Sequence, residues 1–166
     1  VHPALIKKSS YIASIDGVLN AVIIEGKPVG QTTIQGEGAG PSATTSALVS
    51  DVSSILRGNI KFPFSLSTKE RKKLVFSNIL NRFFSAYLRF DVSDKPGVLS
   101  DITNVFSKNK VSIKRLVQDP NKGKKSSSIS IITHSSKEYR LNKIISQISV
   151  KKYIKEKPKL IRISEI

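Results

Sequence analysis

Apolar and polar positions divide the 166-residue chain into two patterned regions with a less regular stretch between them. Val18–Glu25 reads VLNAVIIE, β-rich and almost wholly apolar, and Gly26-Lys27-Pro28 is turn chemistry from which Val29–Gln35 can return antiparallel. A hairpin this short does not stand alone in water, so both of its faces need cover from elsewhere. Beyond the glycine-rich Gly36–Gly40, residues Ala47, Leu48, Val52, Ile55 and Leu56 recur at helical spacing. Ser42 or Thr44 is placed to cap that helix and Gly58 to end it. Residues 59–85 then lose the pattern. Pro63, the basic run Thr68–Lys73 and scattered Phe residues predict a linker. One short helix is expected from Thr68, carried by Leu74, Val75, Ile79, Leu80 and Phe83.

The second region is cleaner. Ala86, Leu88, Phe90 and Val92 alternate with Tyr87, Arg89, Asp91 and Ser93, the signature of a half-buried strand. Asp94-Lys95-Pro96-Gly97 is a turn, and Val98, Leu99, Ile102, Val105 and Phe106 form a helical stripe. Strands follow at Val111–Gln118 and Ser127–Thr133, with a turn at Asn121–Lys124 between them. Leu141, Ile144, Ile145 and Ile148 make a second helical stripe, and Leu160–Ile163 closes with a strand. The order β-α-β-β-α-β over about 80 residues predicts a ferredoxin-like sheet with both helices on one face, and an α+β class for the chain.

Composition changes this picture in three ways. Cys is absent, which excludes disulfides, cysteine metal sites and thiol nucleophiles. No apolar run approaches the roughly 18 residues of a membrane span, so no membrane partner is expected. Met is absent too and residue 1 is Val, from which the chain is expected to be a fragment, a processed product or an incomplete reading frame. The net charge is +16. Such a value suggests nucleic acid, yet its distribution favours a solvated basic surface. Residues 1–60 carry four bases and four acids, residues 61–84 six bases and one acid, and residues 85–166 eighteen bases and seven acids. The strands expected at the centre of the second sheet, Val111–Val117 and Ser127–Thr133, lack the stacking aromatics of an RNA-binding sheet. No nucleic-acid partner is therefore expected.

Two places can hold a ligand. GEGAG (Gly36–Gly40) lies after a strand and before a helix, where bare backbone and a helix N-terminus suit a phosphate or carboxylate. Its spacing is not the G-x-G-x-x-G dinucleotide fingerprint, and a tight structural turn fits the same residues. The Asp94–Gly97 turn offers amides for a carboxylate and a side chain for an amine, which together suit an amino acid. A capping turn is the alternative. His2 and His134 are isolated, Asp16, Glu25 and Asp51 have no partner pattern, and no catalytic or metal motif occurs.

DKPGVLSDITNVFSKNKVSIKRLVQ, from Asp94, resembles the start of an ACT domain, the small regulatory fold that binds amino acids. VHPALI, DGVLNAVIIEGKPVG and GEGAGPSATTSALVSDVSSILRGN, in that order, are similar to the C-terminal part of the catalytic region of homoserine dehydrogenase. The resemblance implies residues 1–60 as the end of a catalytic and dimerisation region, 61–85 as a linker, and 86–166 as an ACT domain. It implies an NAD- or NADP-dependent interconversion of homoserine and aspartate semialdehyde in a cytoplasmic homo-oligomer. The main cofactor site and the catalytic residues would lie outside this chain, leaving it inactive alone. Gly36, Gly38, Ala39 and Gly40 would approach the cofactor. An amino-acid effector, threonine foremost, would bind near Asp94, Gly97 and Asn109 where two ACT domains pair. Ala43 stands where the family commonly has Pro, which implies a looser helix start. A stand-alone ACT-type regulatory protein is the alternative.

Overall fold

The computed structural model describes residues 1–59, 67, 69–73, 75–121 and 125–164. In chain order its elements are β1 (Ala4–Leu5), β2 (Leu19–Gly26), β3 (Gly30–Glu37), α1 (Pro41–Leu56), β4 (Phe83–Ser93), α2 (Val98–Lys108), β5 (Ile113–Pro120), β6 (Ser126–Thr133), β7 (Ser136–Lys137), α3 (Glu138–Ser149) and β8 (Lys159–Ile163). They fall into two units. One is Lys8–Phe76; the other joins Val1–Lys7 to Ser77–Ile166.

In the larger unit β4 sets the frame. Its alternation buries Ala86, Leu88, Phe90 and Val92 on one face and turns Tyr87, Arg89 and Asp91 to the other. β6 pairs antiparallel along one edge, with Leu88 opposite Ile131 and Phe90 opposite Ile129. β8 pairs antiparallel along the other, with Ala86 opposite Arg162 and Leu88 opposite Leu160. β5 joins β6, so the order is β8-β4-β6-β5, that of the ferredoxin-like fold. α2 contributes Val98, Ile102, Val105 and Phe106 to the core, and α3 contributes Leu141, Ile144 and Ile148. Both helices therefore cover the same face of the sheet. Phe90 and Phe106 meet edge to face, ring centres 6.4 Å apart. The first and third strands take the centre in this topology. Val111–Val117 thus belongs to an edge strand, and the expectation that it is central is corrected. β4 replaces it and brings Tyr87 onto the open face, hydroxyl 3.0 Å from Ser130 Oγ.

Hydrogen bonds explain the ends of the helices. α2 starts on Gly97, whose φ of +87° is left-handed. It ends with the Lys110 amide on the Ser107 carbonyl and the Val111 amide on that of Phe106, a Schellman closure. Lys110 occupies the left-handed position at φ +56°, where glycine is usual. α1 ends the same way on Gly58, as its sequence predicts. Its start differs: the N-cap is Gly40 with Pro41 in the first turn, and no side chain caps it. The fixed φ of Pro41 begins the helix, so neither Ser42 nor Thr44 is needed there, and Ala43 lies inside a helix already stiffened.

Three further differences concern short segments. β1 and β7 have no signal in the pattern, being two residues each. Of the helix expected after the basic run, Thr68 and Leu74 lie outside the described residues, as does Pro63. Ile79–Asn81 is a single 3-10 turn, and Phe83 already begins β4 because Phe83 and Phe84 pair with β7. Of the turn at Asn121–Lys124, Lys122–Lys124 lie outside the described residues; Asn121 and Ser126 join across it through backbone and side chain.

Two buried or half-buried polar links tie helices to strands. Glu138, 4% exposed, opens α3 and receives Arg162 Nε of β8 at 2.9 Å. Asp101, in the first turn of α2, accepts from Tyr153 at 2.9 Å and pairs with Lys151 at 2.9 Å. Those contacts, the Lys151 bond first, hold the Asp101 carboxyl below the usual carboxylate range; burial and the Asp101 bond push the Tyr153 phenol up.

Two outcomes are expected. Lys110→Gly relieves the left-handed strain and should stabilise the chain by about 1 kcal/mol, read as a higher urea midpoint with unchanged slope. Asp101 has a depressed folded pKa, so its contribution is present above an unfolded value near 4 and is lost as pH falls through the lower folded value. Asp101→Asn should cost about 1 kcal/mol or less at pH 7, given its exposure, and progressively less as pH falls below about 4, by denaturation across that range.

Candidate functional site

The glycine loop leaves the open end of the hairpin in the smaller unit and leads into α1. β2 and β3 pair antiparallel from Leu19↔Glu37 to Gly26↔Gly30, which sets Gly36 opposite Asn20. The Gly38 amide donates to the Val18 carbonyl at 3.3 Å. Gly38 lies flat against the Asn20 side chain, and a Cβ there would overlap the Asn20 amide. Gly40 has φ +129° and hands the chain to α1 through Pro41. Glycine is therefore favoured at Gly40 by conformation, whereas at Gly38 a Cβ would oblige the exposed Asn20 side chain to move. Gly36, Gly38, Ala39 and Gly40 are brought together as one exposed ribbon at the start of α1. A depression of about 190 Å³ lies beside it, lined by Asn20, Ala21, Val22, Ile34, Gly36 and Gly38 among others.

The faces around this loop are apolar and open. Val22, Ile24 and Ile34 on the hairpin and Leu48, Val52, Ile55 and Leu56 on α1 are at least half exposed. No described residue of β2, β3 or α1 is buried.

In the larger unit, the Asp94–Gly97 turn is built from three directions. The Asp94 amide donates to the Lys125 carbonyl at 3.3 Å, Gln118 Nε2 approaches Asp94 Oδ1 at 3.5 Å, and the Asp101 amide closes on the Gly97 carbonyl at 3.0 Å. Just before the turn, the Ser93 amide donates to the Tyr153 carbonyl at 2.8 Å. Gln118 and Tyr153 are missed by sequence reasoning. Each reaches the turn through strand pairing or a loop bond across the sheet, and neither has a spacing that announces it.

Asn109 is placed elsewhere. It ends α2, 8% exposed, with its amide donating to the Val105 carbonyl at 2.8 Å and to Gln147 Oε1 at 2.7 Å. Twelve residues of helical rise separate it from Gly97 by about 18 Å. Asp94 and Gly97 are thus brought together, and Asn109 is not joined to them within one chain.

The described residues hold no cluster of His, Asp and Glu that could bind a metal ion, and no described helix is long and apolar enough to cross a membrane. His134 directly follows β6, its backbone amide donating to the Ser112 carbonyl at 2.9 Å. Among the described residues, four ion pairs engage Arg89, Lys151, Lys159 and Arg162.

These two loops coincide with two known families. Residues 1–53 match the family model of homoserine dehydrogenase, and residues 86–149 match that of the ACT domain. The homoserine dehydrogenase of Synechocystis is 34% identical over 169 residues, covering 98% of this chain and 39% of the relative. That of Helicobacter pylori is 29% identical over 163 residues, with 98% and 38% covered. The crystal structure of a homoserine dehydrogenase from Thiobacillus denitrificans superposes with a TM-score of 0.84 at 30% identity, covering 99% of this chain and 38% of that one. The chain therefore spans about two fifths of the length of the relatives it matches. With the glycine loop inside the first matched region and the Gly97 turn inside the second, the chain belongs to the homoserine dehydrogenase family, carrying its C-terminal region and an ACT domain.

Proposed function

We propose that this chain serves an NAD(P)-dependent homoserine dehydrogenase that interconverts L-homoserine and L-aspartate 4-semialdehyde, and that its ACT domain senses an amino acid, threonine foremost. The observation that carries the reading is the order of its parts, a glycine-loop block followed by an ACT domain over nearly the whole chain. The nicotinamide cofactor supplies the hydride when bound. Gly38 and Gly40 fit a role beside it, since they leave backbone bare at a helix start. These residues shape the cleft; they move no proton. The cofactor's main site and the groups that handle homoserine belong to polypeptide other than this chain.

The uncovered apolar faces of β2, β3 and α1 support a buried place for this block in a homo-oligomer, since a hairpin and one helix do not bury their own surface. The effector lies against Asp94 and the amides after Gly97. Asn109, about 18 Å along α2, reaches the same ligand only from a second copy of the domain. Effector binding that favours one quaternary state then biases the cleft.

Two measurements test these assignments in the assembled enzyme. Gly97→Asp sets a carboxylate against that of the ligand, and the threonine concentration for half-inhibition should rise about tenfold or more with uninhibited turnover unchanged. An unaltered inhibition curve removes the turn from the effector site. Gly38→Ala displaces Asn20 into the loop and should raise KM for the nucleotide several-fold while leaving the threonine response intact. An unchanged KM would place the loop away from the cofactor.

A further inference from the structure

The two residues of β1 stand outside the pattern of the chain and outside the unit that follows them. Ala4 and Leu5 pair parallel with Arg162 and Ile163 of β8, and the Ser164 amide donates to the Leu5 carbonyl at 2.8 Å. β8 is thus flanked by β1 on one side and β4 on the other. The chain leaves this sheet after Leu5 and re-enters it at Phe83, and the glycine-loop block Lys8–Phe76 lies in the sequence between those two strands, both of which flank β8.

Arg162 sits at the junction. It faces Ala4 on one neighbour and Ala86 on the other. Its guanidinium binds buried Glu138 and lies over the Phe84 ring at 5.4 Å. The Glu138 amide in turn donates to the Arg82 carbonyl at 3.0 Å. One side chain therefore fixes β8 against the segment that returns from the block.

The far end of β4 connects to β8 by a second route. The loop from α3 to β8 is bonded to the residues just before the Asp94 turn: Tyr153 carbonyl to Ser93 amide at 2.8 Å, Lys155 amide to Asp91 carbonyl at 2.8 Å, and a bridge between Val92 and Ile154. The same loop holds the start of α2 through Tyr153 and Lys151 on Asp101. The loop thus holds the residues on both flanks of the Asp94–Gly97 turn, and it runs on into β8.

β1 is the weak link of that route. It is two residues long, its side chains are exposed, and it is held on one edge only. Short edge segments of this kind open locally far more readily than the core. We propose that β1 is the coupling strand of the protein: ligand at the Asp94–Gly97 turn strengthens the β1–β8 pairing, and docking or release of β1 passes the state of the ACT domain to the block that begins at Lys8. The inference rests on the reading of the ACT domain as an amino-acid sensor. Linkage makes it reciprocal, so weakening β1 must also weaken ligand binding at a turn about 30 Å away along β4.

The test uses the 166-residue chain with L-threonine as probe. Calorimetry measures binding, and hydrogen exchange is followed in peptides covering residues 1–8 and 159–164. Threonine should bind and slow exchange in both peptides. Leu5→Pro, which removes a strand amide, should weaken threonine binding by about fivefold or more, whereas Leu5→Thr, which keeps β propensity, should bind as the parent does. Threonine that binds without changing exchange in residues 1–8, or a Leu5→Pro chain with parental affinity, overturns the coupling strand and leaves the sensor standing. Absence of threonine binding to the parent chain overturns the sensor reading for threonine and the coupling strand with it.

Discussion

The alternation along β4 is the constraint on which the larger unit depends. Ala86, Leu88, Phe90 and Val92 are all within 1% of complete burial; Leu88 is paired on both sides, Ala86 with β8, and Phe90 and Val92 with β6. A slip of one residue would turn Phe90 to solvent and bring Arg89 and Asp91 under the helices, where unpaired charges are costly. The register also fixes what lies at each end of the strand. It sets Ser93 and Asp94 at the end of the strand, beside the loop carrying Tyr153, and it delivers Arg162 to Glu138 at the other end. The Asp94–Gly97 turn and the β1 junction therefore lie toward the two ends of one buried strand.

The smaller unit has no such strand. Its hairpin and helix bury no described side chain, although their apolar content is high. Exposed Val22, Ile24, Ile34, Leu48 and Val52 leave the hydrophobic free energy of this block unrealised within the chain. Its form is instead set locally: by full pairing of β2 with β3, by the Schellman closure at Gly58, and by Gly40 and Pro41 at the start of α1. The two units thus differ in kind. One is held by a core and the other by backbone hydrogen bonds and turn conformation.

That difference also explains what the sequence could disclose. Leu88–Phe90–Val92 and Ile102–Val105–Phe106 are legible because periodicity records burial, and burial is what stabilises those elements. The ferredoxin-like order followed from six such segments. β1 and β7 were illegible because two residues carry no period, and their pairing depends on partners more than 50 positions away. The 3-10 turn at Ile79–Asn81 and the early start of β4 were hidden likewise, since Phe83 and Phe84 suit a helical stripe or a strand until Ser136 and Lys137 are brought alongside. At the candidate sites, Gly97 and Gly40 showed themselves as glycines at turns. Gln118 and Tyr153 did not, because nothing local distinguishes a residue that meets the turn across the sheet.

The charge of +16 bears on this arrangement through the residues that are paired and not through the total. Arg162 is the one described basic side chain in contact with a carboxylate that is itself nearly buried, and Glu138 makes that contact from the first turn of α3. Taking both from water is costly unless the geometry is held, so the pair specifies position more than it adds stability. It specifies the place where β1, β8, β4 and α3 converge. Lys151, half exposed on Asp101, contributes less energy but sits on the loop between the turn and β8. Two of the 28 basic residues thus lie between the Asp94–Gly97 turn and the strand β1. A general basic surface explains neither position, since each is fixed by its own carboxylate partner, Lys151 by Asp101 and Arg162 by Glu138.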